Sequence, residues 1–224
     1  MTLFLGDIHG NFVDICDKMD RIDLSDCNIV QVGDFGAFNA NEKKIEALNE
    51  FLRNRNIKMY AIRGNHDDPF YFDGTVKMSN LELVPDYSVL ELDGDRILCI
   101  GGAISVDRVE RIKRGLHYFR DEYIFFNPLV IESVTDINIL VTHTAPDFCN
   151  PIPNYSSDFI QTHAKNDINL ISELYSERKM MTEIFETLSI KNNIERHFYG
   201  HFHNSYVEEI DGCVHRLLNV DEIF

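Results

Sequence analysis

The sequence predicts an α/β fold with some antiparallel pairing, and three observations carry that expectation. Over residues 2–63, strand-like apolar runs alternate with helical spacing in a β-α-β-α-β order. That order predicts a parallel sheet with right-handed crossovers. Two Asp-Gly steps, Asp93-Gly94 and Asp211-Gly212, sit between short apolar runs and signal hairpins. Five apolar runs each end in Asp, Asn or His, and ligands of open α/β sheets bind at that carboxyl edge.

Residues 2–6 read as a first strand closing in a glycine. Asn11 suits the cap of a helix whose Phe12, Cys16, Met19 and Ile22 share one face. Residues 28–33 are a second strand, and Asn41 with Glu42 opens a helix in which Ile45, Leu48, Phe51 and Leu52 repeat at helical spacing. Residues 57–63 are a third strand. The runs 81–84, 87–92 and 96–101 are short strands, the last two joined by Asp93-Gly94. Residues 107–114 and 128–134 read as short helices and 137–142 as a buried strand. Pro146, Pro151 and Pro153 bracket a loop of about twenty residues after His143, and a loop that long in a compact domain is often functional. Ile168, Ile171, Leu174 and Tyr175 begin a helical stretch that Met181, Ile184, Phe185 and Leu188 continue after a polar break at 176–179. A strand at 196–200 and a hairpin pair near 204–210 and 214–219 follow. With no repeat, low-complexity segment or linker, residues 1–224 read as a single domain.

A hydrophobic content of 44% with 26% charged residues is that of an ordinary soluble globular chain. No apolar stretch approaches ~18 residues, so no membrane-spanning helix is expected. The N-terminus enters an apolar run without a basic region, which predicts no signal peptide. Cys16, Cys27, Cys99, Cys149 and Cys213 are odd in number and widely spaced, with no Cys-x-x-Cys. They read as small core residues of a protein in a reducing, cytoplasmic compartment, and their spacing argues against a thiolate metal site. A formal net charge of −16 argues against a broad surface tracking duplex nucleic acid. It does not exclude a nucleotide or a phosphorylated end.

The chemistry-bearing residues cluster in five short stretches. Gly6-Asp7-Ile8-His9-Gly10 places a carboxylate and an imidazole just beyond the first strand, a pairing that suits a borderline-hard divalent metal. Gly33-Asp34-Phe35-Gly36, Gly64-Asn65-His66-Asp67, Val141-Thr142-His143 and Gly200-His201-Phe202-His203 repeat the placement at later strand ends. In this order and spacing the series resembles the calcineurin-like metallophosphoesterase family, from position 6 to position 203.

The resemblance implies a sandwich of two facing mixed β-sheets flanked by helices, with the active site at the carboxyl ends of the strands. It implies that Asp7, His9 and His203 hold one divalent ion, that Asn65, His143 and His201 hold a second, and that Asp34 bridges them. Mn²⁺, Fe²⁺/Fe³⁺ or Zn²⁺ suits such a mixed donor set. The implied reaction is hydrolysis of phosphate mono- or diesters by a metal-bound hydroxide, with no phosphoenzyme. His66 takes the catalytic histidine's place, contacting phosphoryl oxygens or protonating the leaving oxygen, and Asp67 is placed to orient its ring.

One departure bears on the substrate. In the protein serine/threonine phosphatases the second motif runs on to an acidic residue and an Arg, whereas here Ala37-Phe38-Asn39 follows, which argues against a phosphoprotein substrate. Instead, Gly101-Gly102-Ala103-Ile104-Ser105-Val106-Asp107-Arg108, with Arg111 soon after, is similar to a glycine-rich block of a small bacterial and phage-type branch. Arg108 and Arg111 are therefore candidates for binding substrate phosphate. The alternative reading of that block is a strand-to-helix turn with a solvated basic face. His197 and His215 sit in apolar strand contexts and read as satisfied core or edge residues. His163 reads the same way, with a substrate contact as its alternative. Two other functions stay open on the same fold: a non-catalytic interaction scaffold, and a nucleic-acid exonuclease.

Overall fold

A computed structural model describes residues 1–151 and 157–224. Strands β1 (Thr2–Leu5), β2 (Asn28–Gln31), β3 (Lys58–Ala61) and β4 (Leu81–Leu83) form one sheet in the order β1-β2-β3-β4. All four pair in parallel. Helices α1 (Phe12–Arg21) and α2 (Glu42–Asn54) make the crossovers. Strand side chains alternate between faces, and the burial follows that period. Leu5, Ile29 and Met59 pack with Ile15, Met19, Ile45 and Leu48 of the helices, while Phe4, Val30 and Val32 face the other way.

The second sheet receives that other face. Its order is β5-β6-β7-β8-β10-β9, from β5 (Ser88–Leu92), β6 (Asp95–Ile100), β7 (Ile139–Thr142), β8 (Arg196–Tyr199), β9 (Tyr206–Ile210) and β10 (Cys213–Leu217). Ile97, Cys99, Ile139, Val141 and Phe198 close against Phe4, Val30 and Val32 to make the inter-sheet core. The Phe4 and Phe198 rings stack across it with centroids 3.6 Å apart and planes 7° from parallel. On the outer face, Leu98, Ile100 and Leu140 pack against Met181, Ile184 and Leu188 of α6 (Leu170–Ser189) and Ile131 of α4 (Pro128–Ser133). Helices α3 (Arg108–Arg114) and α5 (Ser157–Ala164) complete the set among the described residues.

The two-sheet architecture is as expected, with one difference in the mixing. The second sheet is mixed, because β5 and β9 pair antiparallel at its edges. The first sheet gains antiparallel partners only as isolated bridges among the described residues: Lys77 pairs with Glu82 of β4, and the C-terminal segment runs beside β1, where Phe4 N–H donates to Phe224 O and Phe224 N–H to Phe4 O, each 2.9 Å. The hairpin signal holds at Asp93-Gly94, where φ of 52° and 92° gives the left-handed pair that a tight two-residue turn requires. Asp211-Gly212 turns the β9–β10 hairpin in the same way.

Three local expectations are corrected. Asn11 precedes α1 but makes no side-chain cap, and neither does Asn41 before α2; the Asn41 amide instead donates to Gly36 O at 2.9 Å, tying α2 to the second motif loop. The polar stretch at 176–179 does not interrupt the late helix, because α6 runs unbroken through it. Glu177 is buried there, and Arg178 donates to the carbonyls of Ala145, Pro146 and Cys149, so its inward guanidinium finds partners in the neighbouring loop. The expected loop after His143 contains α5; Pro153 lies outside the described residues.

The Phe4–Phe198 stack is the principal aromatic contact between the sheets. Phe198→Ala is expected to destabilise the protein by about 3–5 kcal/mol, the usual cost of emptying a buried aromatic site. Urea unfolding measures this, and a midpoint equal to wild type refutes it.

Candidate metal centre

Each chemistry-bearing stretch leaves a strand at its carboxyl end: Asp7 and His9 after β1, Asp34 after β2, Asn65 after β3, His143 after β7, and His201 and His203 after β8. The facing sheets bring these ends together. The first two loops are laced directly, since the N–H groups of Ile8 and His9 donate to Asp34 O at 3.0 and 2.7 Å. Four of these residues hold left-handed backbone: His9 at φ 51°, Asp34 at 52°, His201 at 68° and His203 at 48°. Such strain persists only where the surroundings over-determine it. Gly64 shows how tight the junction is. A Cβ there would lie 2.1 Å from Asp34 Oδ1 and 2.2 Å from Asp34 N, so only glycine lets the third loop approach the second.

Two donor clusters share one carboxylate. In the first, His203 Nε2 lies 2.9 Å from His9 Nε2 and 3.3 Å from Asp7 Oδ2, and His9 Nδ1 lies 3.8 Å from Asp34 Oδ2. In the second, Asn65 Oδ1 lies 2.9 Å from His201 Nδ1 and 3.1 Å from His143 Nε2, and that nitrogen is 3.3 Å from Asp34 Oδ1. One Asp34 oxygen thus faces each cluster. Asp7 also anchors the last loop, accepting the His201 N–H at 3.0 Å on Oδ2. His201 and His203 reach different clusters from one turn, as expected of two residues beyond a strand end.

The donor chemistry fits divalent cations. His143 Nδ1 sits 2.9 Å from Val32 O, so the ring donates there and presents the Nε2 lone pair to the oxygens of Asn65 and Asp34. Asn65 Nδ2 donates to Ser105 Oγ at 2.9 Å, which turns its amide oxygen toward the imidazoles. Lone pairs therefore converge on lone pairs, and a cation resolves that. A ligating histidine whose other nitrogen donates to a backbone carbonyl is a recurrent metal-site arrangement. Without a cation, a proton takes the place: burial pushes His143 down, but the Asp34 carboxylate beside it raises it to about 9. Burial likewise works against an ionised Asp34, yet the imidazoles around it, His143 foremost, hold its carboxyl well below the usual range.

His66 stands between two adjoining cavities, one of about 560 Å³ over the donor clusters and one of about 280 Å³ beside it. Its N–H donates to Asp34 Oδ1 at 2.8 Å, while its ring Nε2 stays 4.0 Å from Asp34 Oδ2. Burial lowers its pKa; the Asp34 charge opposes that and the Arg111 charge adds to it. Arg111 is buried, lines the smaller cavity and donates through Nη1 to Ser105 Oγ at 2.9 Å. Ser105 in turn donates to Glu122 Oε2 at 2.7 Å, while its own N–H donates to Glu122 Oε1 at 2.7 Å. One hydroxyl thus accepts from both Asn65 and Arg111 and is held by one acid. Burial raises Glu122 to about 7. Ser105 belongs to the glycine-rich block, whereas Glu122 lies 17 residues further on with no sequence motif around it to mark it.

Two expected site residues are placed elsewhere. Asp67 was expected to orient the His66 ring. Its carboxylate is instead fully buried and accepts four backbone N–H groups, from Gly36 at 2.6 Å, Gly64 at 2.7 Å, Ala37 at 2.8 Å and Phe35 at 3.1 Å. Asp67 therefore ties the second loop to the third. Arg108 was expected to bind substrate phosphate. It pairs with Asp167 and Glu173, each at 2.5 Å, and lines a separate cavity of about 370 Å³ with Glu122 and Glu177. Two carboxylates neutralise it there. His163 lies on α5, its ring 4.7 Å from that of Phe159, which lines the cavity over the clusters.

The calcineurin-like phosphoesterase family model matches residues 1–205. Among curated proteins none matches the chain. Three solved structures are similar to it at low identity. Phosphopantetheinyl hydrolase from Mycobacterium tuberculosis has 13% identity and a TM-score of 0.49, with 98% of this chain and 90% of that one covered. GAP50, described as the anchor in the inner membrane complex of Plasmodium, has 13% identity and a TM-score of 0.46, covering 97% and 70%. A 5'-nucleotidase of Staphylococcus aureus, so described provisionally and solved with alpha-ketoglutarate, has 9% identity and a TM-score of 0.45, covering 99% and 49%.

Because four buried N–H groups depend on Asp67, its removal is expected to act on stability. Asp67→Ala should lower unfolding free energy by at least about 3 kcal/mol, since each buried donor left without an acceptor costs about 1–3 kcal/mol. Chemical denaturation alongside turnover decides this. A large loss of kcat at unchanged unfolding midpoint would restore the catalytic role.

Proposed function

The chain belongs to the calcineurin-like phosphoesterase family, and on that premise we propose that it hydrolyses phosphate mono- or diesters with two divalent ions. Asp7, His9 and His203 would hold one ion, Asn65, His143 and His201 the other, and Asp34 both. The observation that carries this reading is the Asp34 carboxylate, with one oxygen toward each donor cluster. The ions, when bound, supply Lewis acidity that acidifies water and neutralises phosphoryl charge. Mn²⁺, Fe²⁺/Fe³⁺ and Zn²⁺ all suit the donors.

The chain's own residues do the rest. Arg111 binds the phosphate as a planar cation, its guanidinium set by Ser105 and Glu122. His66 holds the proton for the leaving oxygen; its ring stands at the junction of the two cavities. The Phe38 and His117 rings, 4.4 Å apart, wall the smaller cavity beside Arg111. That wall, with a net charge of −16, favours a small organic phosphoester or a nucleotide over duplex nucleic acid.

Turnover of p-nitrophenyl phosphate, its bis ester and mononucleotides tests the reading. Chelation should abolish it and Mn²⁺ should restore it; full activity in metal-free protein would sink the proposal. Asp34→Asn weakens the shared ligand, so metal content at both sites and rate should fall together. If both stay at wild-type values, Asp34 is not the bridge.

His66→Ala separates proton transfer from metal binding. Metal content should stay near wild type while kcat falls roughly 10²–10⁴-fold, the range of a general acid–base group. The loss should be larger on alkyl esters than on p-nitrophenyl phosphate, whose leaving group needs little protonation. Equal losses on both would assign His66 to clamping the phosphoryl oxygens instead.

A further inference from the structure

A second group of metal-ligating side chains lies on the outer face of the second sheet and shares no residue with the centre above. Cys149, His197 and His215 are all buried, and their donor atoms lie within 4.8 Å of one another. The register of the β8–β10 ladder sets His215 beside His197, so both rings point to one face. Phe198, between His197 and Tyr199, points into the inter-sheet core, so that face is the outer one, under α6. Cys149 arrives from the loop that follows His143. We propose that these three side chains form a structural site for a single zinc-type ion.

Two observations carry the proposal. The first is spacing. His197 Nδ1 lies 3.0 Å from His215 Nδ1, and Cys149 Sγ lies 3.4 Å from the same nitrogen. A tetrahedral ion at ordinary zinc–nitrogen and zinc–sulfur lengths sets its ligands about 3.3 Å apart for N···N and about 3.6 Å for N···S. Both contacts to His215 Nδ1 stand within a few tenths of an ångström of that geometry.

The second is proton bookkeeping. The Thr142 hydroxyl donates to Thr144 O, so it accepts from His197 Nε2 at 2.8 Å. That leaves His197 Nδ1 as a lone pair facing His215 Nδ1. Suppose His215 carries its proton on Nδ1. Its Nε2, buried with no hydrogen-bond partner, is then an unmatched acceptor, and the Cys149 thiol has no lone pair to meet. Suppose the proton is on Nε2 instead. Two bare nitrogens then face each other at 3.0 Å. Neither arrangement satisfies the three donor atoms that face one another. A cation takes both Nδ1 lone pairs and the Cys149 thiolate together, with the His215 proton on Nε2, and binding releases the thiol proton to solvent.

Soft thiolate with imidazole selects zinc-type ions over the hard cations that oxygen ligands favour. Glu208 pairs in register with His215 across β9 and holds Asn150 N–H at 2.8 Å, which places an acid beside the thiolate's own loop. The ion would clamp the loop of Cys149, whose carbonyl already accepts from Arg178, onto β8 and β10. That loop starts at His143, so the clamp fixes the chain on the far side of a ligand of the main centre.

Cobalt substitution tests this without reliance on activity. No donor of the main centre is sulfur, so a thiolate-to-cobalt charge-transfer band reports the proposed site alone. Metal-free wild-type protein titrated with Co²⁺ should develop that band and saturate at one equivalent of thiolate-bound metal. Asp34→Asn and Cys213→Ser should keep it; Cys149→Ser should lose it, and His215→Gln should lose it or weaken it at least tenfold in affinity. Wild-type protein that fills with cobalt and shows no such band overturns the proposal, whatever the variants do. A band that survives Cys149→Ser overturns it as well.

Discussion

Asp34 is a carboxylate buried at the junction of two sheets, and the rest of the centre is arranged around keeping it charged. Its two oxygens face different imidazole groups, its backbone carbonyl accepts two N–H groups from the first loop, and its Oδ1 accepts the N–H of His66. A buried charge without partners is prohibitively unfavourable. The surrounding histidines, the amide of Asn65 and the left-handed backbone of the ligand loops are the structural consequences of solving that problem at one point. The two ions proposed above would meet side-chain lone pairs from both donor clusters at the same point.

The loops can converge only because their backbones nearly touch. Gly64 admits the third loop against Asp34, and Asp67 then binds that loop to the second by accepting four N–H groups. Asp67 thus holds the geometry of the two loops. The distinction is chemical: its oxygens are committed to amides, and the oxygen near His66 belongs to Asp34.

The side proposed to bind phosphate is organised by a neutral group. Ser105 accepts from Asn65 and Arg111 and donates to Glu122, so one hydroxyl sets a metal-facing amide and a guanidinium together. This couples the proposed second ion to the proposed phosphate-binding Arg111 through two hydrogen bonds on one hydroxyl. Arg108, three residues before Arg111 on the same helix, takes no part, because Asp167 and Glu173 claim it on another side of α3.

Much of this was legible in the chain itself. Alternating apolar periods marked the strands and helices, Asp93-Gly94 and Asp211-Gly212 marked the hairpins, and the motif series pointed to one family and one set of donors. These are local signals, set by side-chain period, turn conformation and loop chemistry within a few residues. What the chain could not reveal were groupings made across long separations. Asp67 beside His66 reads as a catalytic pair until the fold turns its oxygens to four amides. Glu122 carries no motif and enters only because a loop crosses behind Ser105. Cys149, His197 and His215 are spaced like core residues, and only the β8–β10 register with the loop after His143 sets their donors side by side. Sequence determined which side chains were available; the pairing of distant strands decided which lone pairs meet, because directional contacts depend on distances of an ångström that no local pattern encodes.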